Sequence, residues 1–144
     1  MQIRFKKLRP GAIIPKYATA GASGFDLAAA EEVLLFNGTT KAIPTGLAVD
    51  IPQGFEMQIR PRSGLSLKTS LRMPNSPGTI DSDYRGEIGV ILENTGSQPL
   101  TIDRGMRIAQ GVIVPVGRAE IEEVDELGET ARGDGGYGST GFRY

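Results

Sequence analysis

The sequence predicts an all-β sandwich or barrel, and three observations carry that expectation: short runs of alternating apolar and polar residues, turn signals between them, and no long helical stripe. The alternation places Leu47, Val49 and Ile51 on one side of a run, then Phe55, Met57 and Ile59, then Ile88, Val90 and Leu92, then Val112, Val114 and Val116. A period of two is the mark of a strand buried on one face. Asn37-Gly38, Pro52-Gln53-Gly54, Asn94-Thr95-Gly96 and Asp103-Arg104-Gly105 punctuate the runs as turns. With 20 Gly and 9 Pro spread along the chain, helix is limited to one or two turns between Ser63 and Ser70.

The 144 residues, 39% of them hydrophobic, suffice for one core and one domain. Composition shifts after Leu127, dividing the chain into a β domain over residues 1–127 and a Gly-rich arm over 128–144. Such a tail is either a frayed, solvated terminus or a flexible segment that orders on a ligand, and its Arg132, Tyr137, Ser139 and Thr140 suit stacking and phosphate binding. Gly138-Ser139-Thr140 lacks the lysine of a P-loop, and no helix pattern follows it.

Charge and missing residue types narrow the chemistry. Sixteen basic against seventeen acidic residues give no basic excess for a phosphodiester backbone, so no nucleic-acid partner is expected. The absence of Cys removes disulfides and thiolate nucleophiles; the absence of His removes the commonest general base and metal ligand. Base catalysis must then fall to a carboxylate, Lys or Tyr. No signal peptide follows the basic start MQIRFKKLRP and no apolar run is long enough to span a membrane, so a cytoplasmic or other intracellular location without membrane association is expected.

Several segments could carry chemistry. Pro61-Arg62-Ser63-Gly64 ends a strand where a short helix begins, so Arg62, the Ser63 hydroxyl and backbone N–H groups could meet a phosphate. The residues from Gly78 to Glu87 read as a hairpin with a polar tip, in which Tyr84 lies three residues beyond Asp81 and could wall a small pocket. Asp26, after Ser23-Gly24-Phe25, reads as a turn carboxylate; Arg107 and Gln110, taken singly, read as surface or strand-end residues.

Taken together and in order, five segments closely resemble the five motifs of the homotrimeric deoxyuridine triphosphatase family, the dUTP pyrophosphatases. They are Ala20-Gly21-Ala22-Ser23-Gly24-Phe25-Asp26-Leu27, Pro61-Arg62-Ser63-Gly64-Leu65, Gly78 to Glu87, Arg107-Ile108-Ala109-Gln110, and Arg132 to Gly141. The resemblance implies a jelly-roll subunit in a threefold trimer, with each site built from three chains and covered by the arm of one.

The implied reaction is Mg²⁺-dependent hydrolysis of dUTP to dUMP and pyrophosphate, which limits uracil in DNA and supplies dUMP for thymidylate synthesis. Asp81 would activate the water that attacks the α-phosphorus. Asn75, Gly78, Thr79, Ile80, Asp81 and Gly89 would meet the uracil edge, and Tyr84 the deoxyribose, leaving no room for a 2′-hydroxyl. Arg62, Ser63, Gly64 and Gln110 would hold phosphates; Arg132, Ser139 and Thr140 would close on the γ-phosphate, with Gly138 also at the substrate and Tyr137 stacked on uracil. Asp26 would act on the waters of Mg²⁺ from the outer shell, with no direct protein ligand to the ion.

Met106, Gly111, Ser70 and Tyr137 depart from the residues commoner in the family. The related dCTP deaminases usually carry two serines after the motif arginine and need a catalytic glutamate in another context, whereas Arg62-Ser63-Gly64 and Asp81 side with hydrolysis alone. A binding module that keeps the pocket without turnover is disfavoured by the intact Asp81 and tail.

Overall fold

The computed structural model describes residues 1–141 and 143. Among them the elements run β1 (Arg4–Lys7), β2 (Phe25–Ala28), β3 (Val33–Leu35), β4 (Thr40–Pro44), β5 (Leu47–Asp50), β6 (Phe55–Arg60), α1 (Ser63–Lys68), β7 (Leu71–Arg72), β8 (Gly78–Ile80), β9 (Gly89–Asn94), β10 (Leu100–Ile102) and β11 (Arg107–Pro115). Each alternating run becomes a strand, and the one helix falls inside the predicted 63–70 window. All the strand pairings are antiparallel: a sheet ordered β2-β11-β6-β8, a second ordered β4-β9-β7, and two ribbons, β1 with β5 and β3 with β10. This is the jelly-roll form of the expected all-β fold.

Alternation decides which face is buried. On β6, Met57 and Ile59 point inward while Glu56, Gln58 and Arg60 stay partly exposed; on β9, Val90, Leu92 and Asn94 point inward. Leu27, Leu35, Ile43, Leu47, Ile88, Ile102 and Ile108 join them in a single core fed by nearly every strand. Buried polar groups are paired, as a low-dielectric interior requires. The amide of Asn94 accepts from the Ser70 hydroxyl and the Gly96 N–H, and donates to the Leu35 and Gln98 carbonyls. Buried Thr45 donates to the Ile88 carbonyl.

Two local expectations are corrected. Gly78 to Glu87 does not turn a hairpin: β8 pairs with β6, whereas β9 pairs with β4 and β7, so the intervening loop crosses between sheets. Ile88 anchors the far side of the crossing, since it is fully buried and its N–H donates to the carbonyl of Leu47 in β5, outside the sheet that holds β8. Asp26 is not in a turn but inside β2, where its neighbours Phe25 and Leu27 are buried. The Phe25 ring packs edge-on against Phe5 and Tyr17, at centroid distances of 5.7 and 5.5 Å, and this anchors the strand.

β11 ends at Pro115, and residues 116–127 are exposed and outside any strand or helix, so the strands stop before the change in composition at Leu127. No helix among the described residues is long and apolar enough to cross a membrane.

Candidate active site

The first polar cluster forms where β2, β11 and the end of β6 meet. β11 pairs with β2 through Gln110↔Asp26 and Ala109↔Leu27, but Arg107 pairs with Ala28, which marks a bulge between Arg107 and Ala109. The extra residue, Ile108, is fully buried. Arg107 stays exposed, and its Nη1 lies 3.0 Å from Asp26 Oδ2. Arg62, just past β6, reaches the other carboxylate oxygen, Nε to Oδ1 2.7 Å, and donates from Nη1 to the Arg107 carbonyl at 3.1 Å. Gln110 lies between Asp26 and Arg60 in register and donates to the Pro61 carbonyl at 3.0 Å. Gly24 leaves space for that amide, because a Cβ there would stand 2.9 Å from Gln110 Oε1.

Two guanidiniums against one carboxylate leave this cluster with surplus positive charge. Arg62 and Asp26 are each 28% exposed at the side chain, so solvent screens their attraction less than it does the Arg4–Asp50 pair, where Arg4 is 75% exposed. Arg62 also stands at the start of α1, and its carbonyl accepts the first helical bonds from Leu65 and Ser66. Ser63 and Gly64 sit exposed in the first turn beside it. The arrangement suits an anion with several oxygens.

The second cluster follows β8. This strand is the outer edge of its sheet, so one row of its backbone N–H and C=O groups faces away from β6. Gly78 is buried with Asn75 packed on it; a Cβ would lie 3.2 Å from Asn75 Nδ2 and 3.3 Å from Ile59 Cβ. Asp81 is exposed at the rim of a cavity lined also by Gln53, Phe55, Glu56, Asp83 and Arg118. Its carbonyl accepts from the Tyr84 N–H, closing a turn, while the Tyr84 hydroxyl donates to the Glu87 carbonyl at 3.0 Å. Arg85 braces the loop by donating to the Ser82 and Tyr84 carbonyls and pairing with Asp50 at 2.9 Å. Gly89, exposed, opens β9 beyond it.

These clusters occupy opposite ends of one sheet. Ile80, next to Asp81, pairs with Met57 near the start of β6; Arg62 lies five positions further on. At roughly 3.3 Å per residue the two ends are about 15–20 Å apart. A general base acts over about 3 Å, directly or through one water. Asp81 therefore does not meet Arg62 of its own chain.

The C-terminal residues form a third group. Arg132 Nε donates to the Gly135 carbonyl at 2.8 Å, and turns close between Ser139 and Gly136 and between Gly141 and Gly138. Among the described residues, hydrogen bonds of 117–141 stay within that segment, so Arg132, Tyr137, Gly138, Ser139 and Thr140 join neither cluster. Tyr137 is fully exposed, with φ 49°. Phe142 and Tyr144 of the arm lie outside the described residues.

Among the described residues no group of three or more His, Asp or Glu side chains is gathered as a metal cage. Asp26 engages one guanidinium per oxygen, which leaves lone pairs able to accept from a hydrated ion. The donor set fits Mg²⁺ that arrives on a polyphosphate and keeps its waters. Sequence reasoning missed Arg107 as the second partner of Asp26, because the bulge that aims it leaves no local signature. It also missed Arg9, whose Nη2 lies 2.5 Å from Glu87 Oε2 across 78 positions of sequence.

Fold and clusters together describe a jelly-roll protein with a basic cluster suited to an anion. The model of the dUTPase family matches residues 11–141. The deoxyuridine 5′-triphosphate nucleotidohydrolase of Picosynechococcus sp. is 56% identical over 141 residues, 98% of this chain and 99% of its own; that of Wolinella succinogenes is 53% identical, over 98% and 95%. The chain belongs to the dUTPase family. Among solved structures, the Staphylococcus bacteriophage 80alpha dUTPase with dUpNHpp superposes with a TM-score of 0.91 at 30% identity, covering 98% of this chain and 99% of that one. A mutant dUTPase of S. aureus phage phi11, described with a structural Mg(II) ion, superposes at 0.84 with 26% identity, over 90% and 100%.

Proposed function

We propose that this chain, a dUTP diphosphatase, acts as a homotrimer in which the Arg62 cluster of one subunit and the Asp81 loop of another face a shared triphosphate. The observation that carries this reading is the separation of the two clusters along β6: a single chain offers a phosphate grip and a carboxylate too far apart to serve one substrate. The arm, residues 128–144, supplies the third part, with Arg132, Ser139 and Thr140 on the γ-phosphate, Gly138 beside them and Tyr137 over the base. The bacteriophage dUTPase solved with dUpNHpp supports a triphosphate of deoxyuridine as the ligand class.

Within that site each residue has a stated task. The free edge of β8 offers backbone donors and acceptors to the uracil edge, from Gly78 through Asp81, with Asn75 and Gly89 alongside. Tyr84 walls the deoxyribose. Arg62, Ser63, Gly64 and Gln110 hold the phosphates in line. Asp81 takes a proton from water as its oxygen bonds to the α-phosphorus; the bond from that phosphorus to the bridging oxygen breaks, and pyrophosphate leaves with the electron pair. Phosphoryl transfer asks mainly for positioning and charge neutralisation, which Arg62 and Arg107 of the first cluster begin to supply. Mg²⁺ on the phosphate oxygens would add charge neutralisation, with Asp26 accepting from its waters.

Incubation of purified protein with Mg²⁺ and dUTP, dCTP, UTP or dTTP tests the reading. Pyrophosphate and dUMP from dUTP, with little turnover of the others, is the expected result. Deamination of dCTP, or a monomer that is fully active by light scattering and assay, would overturn it.

A further inference from the structure

Gly86 stands between Tyr84 and Glu87 in the loop after β8, and its φ is not in the left-handed region. The backbone would therefore accept alanine. Space would not: a Cβ would lie 2.3 Å from the Tyr84 hydroxyl oxygen, 2.5 Å from Cζ and 2.9 Å from Cε2. The tyrosine ring lies against the bare Cα of Gly86, with its hydroxyl on the Glu87 carbonyl at 3.0 Å.

The residue that carries this carbonyl is itself held by its side chain. The Glu87 carboxylate accepts from the Gly46 N–H at 2.8 Å and from Arg9 at 2.5 Å. Gly46 has φ +69° and packs so closely on Arg9 and Ala12 that a Cβ would lie 2.8 Å from each, while the Leu8 N–H donates to its carbonyl at 2.8 Å. The seat is thus built from the chain's own backbone and side chains and not from a ligand. Tyr84 remains 43% exposed, so part of the ring is open to one.

We propose that Gly86 is a specificity-determining positioning residue: its missing side chain lets the Tyr84 ring lie back against the loop, and so sets where the sugar wall stands. The inference rests on the reading of Tyr84 as that wall. Alanine at 86 pushes the ring off its seat and off the Glu87 carbonyl. The displaced ring no longer fits deoxyribose, nor does it fill the place of a 2′-hydroxyl. A pocket wall rejects an added hydroxyl by on the order of 10²-fold, so a loosened wall forfeits about tenfold of that.

The test is a four-way comparison of the unmodified protein, Gly86→Ala, Tyr84→Ala and the double variant, with kcat and KM measured on dUTP and UTP. Gly86→Ala should shrink the dUTP-to-UTP ratio of kcat/KM about tenfold, mainly through a higher KM for dUTP with kcat little changed. Tyr84→Ala should also shrink the ratio, and adding Gly86→Ala to it should change nothing more, because the ring that collides is gone. An unchanged ratio in Tyr84→Ala overturns the sugar-wall reading and this inference with it. A reduced ratio there, but an unchanged one in Gly86→Ala, overturns the role of Gly86 alone. Should Gly86→Ala fail to fold, the double variant decides: recovery of folding supports the seat, and continued failure overturns it.

Discussion

At one end of the β2-β11-β6-β8 sheet Asp26, Arg62, Arg107 and Gln110 are tied to one another or to backbone, whereas at the other end the Asp81 side chain has no partner among the described residues. The two ends share strands and core, so the contrast is not one of stability. On the reading proposed above, it reflects what each group must do. A phosphate grip gains from guanidiniums already held in place, since ordering them on binding would consume affinity. A carboxylate meant to take a proton from water must keep its lone pairs available. The loop carrying Asp81 is nevertheless braced, by Arg85 on Asp50 and by Glu87 on Arg9 and Gly46.

Substitutions at the two ends should differ in kind. The largest effect belongs to Asp81→Asn, which should bind dUTP yet lose about 10²- to 10⁴-fold in turnover, read as pyrophosphate release; ordinary turnover would remove Asp81 from the role of base. Deletion from Arg132 onward comes next. It should leave a folded trimer by light scattering and circular dichroism, with about a 10²-fold loss of kcat/KM, because mispositioned phosphates alone account for that much. An unfolded truncated chain would show instead that the arm is structural.

At the gripping end, Asp26→Asn should raise the Mg²⁺ concentration for half-maximal activity about 10-fold, the lower end for an outer-shell partner, and leave kcat at saturating Mg²⁺ nearly intact. A drop in kcat without a shift in Mg²⁺ response would mean that Asp26 only orders its arginines. Gly111→Ala should be the mildest for catalysis. A Cβ there would meet Phe25 Cε2 at 2.5 Å and Met57 Sδ at 2.9 Å, so denaturant unfolding should show about 1–3 kcal/mol of destabilisation while kcat below the transition holds.

What the sequence disclosed and what it concealed follow physical lines. Periodicity found β5, β6, β9 and β11, because Met57 and Ile59, or Val90 and Leu92, must share a buried face. It did not find β3, β7, β8 or β10, which have two or three residues each and no room for a period, nor β1, β2 or β4, whose burial does not alternate cleanly with their sequence. The hairpin reading misassigned the partner of β8, because a nearby strand is the default when only local residues are read, and the burial of Ile88 and its bond to Leu47 are not local information. Asp26 looked like a turn residue because Gly24 and a run of alanines surround a strand of four residues. The ties among residues of the five motifs were not legible, because they depend on a bulge at Ile108 and on pairings up to 81 positions apart. Gly111, at a position where the family more often has a larger residue, has its reason only in three dimensions: the Phe25 ring lies against it.

The placement of Arg62 and Asp81 at opposite ends of β6 also has a genetic meaning. If each site borrows one residue from each of two chains, two alleles that are separately dead can rescue each other. Every mixed ring of Asp81→Asn and Arg62→Gln subunits contains one junction where an intact Arg62 from the first meets an intact Asp81 from the second. Coexpression should therefore restore partial dUTP hydrolysis that neither allele supports alone, whereas a defect confined to one chain's own site would be inherited without any such complementation.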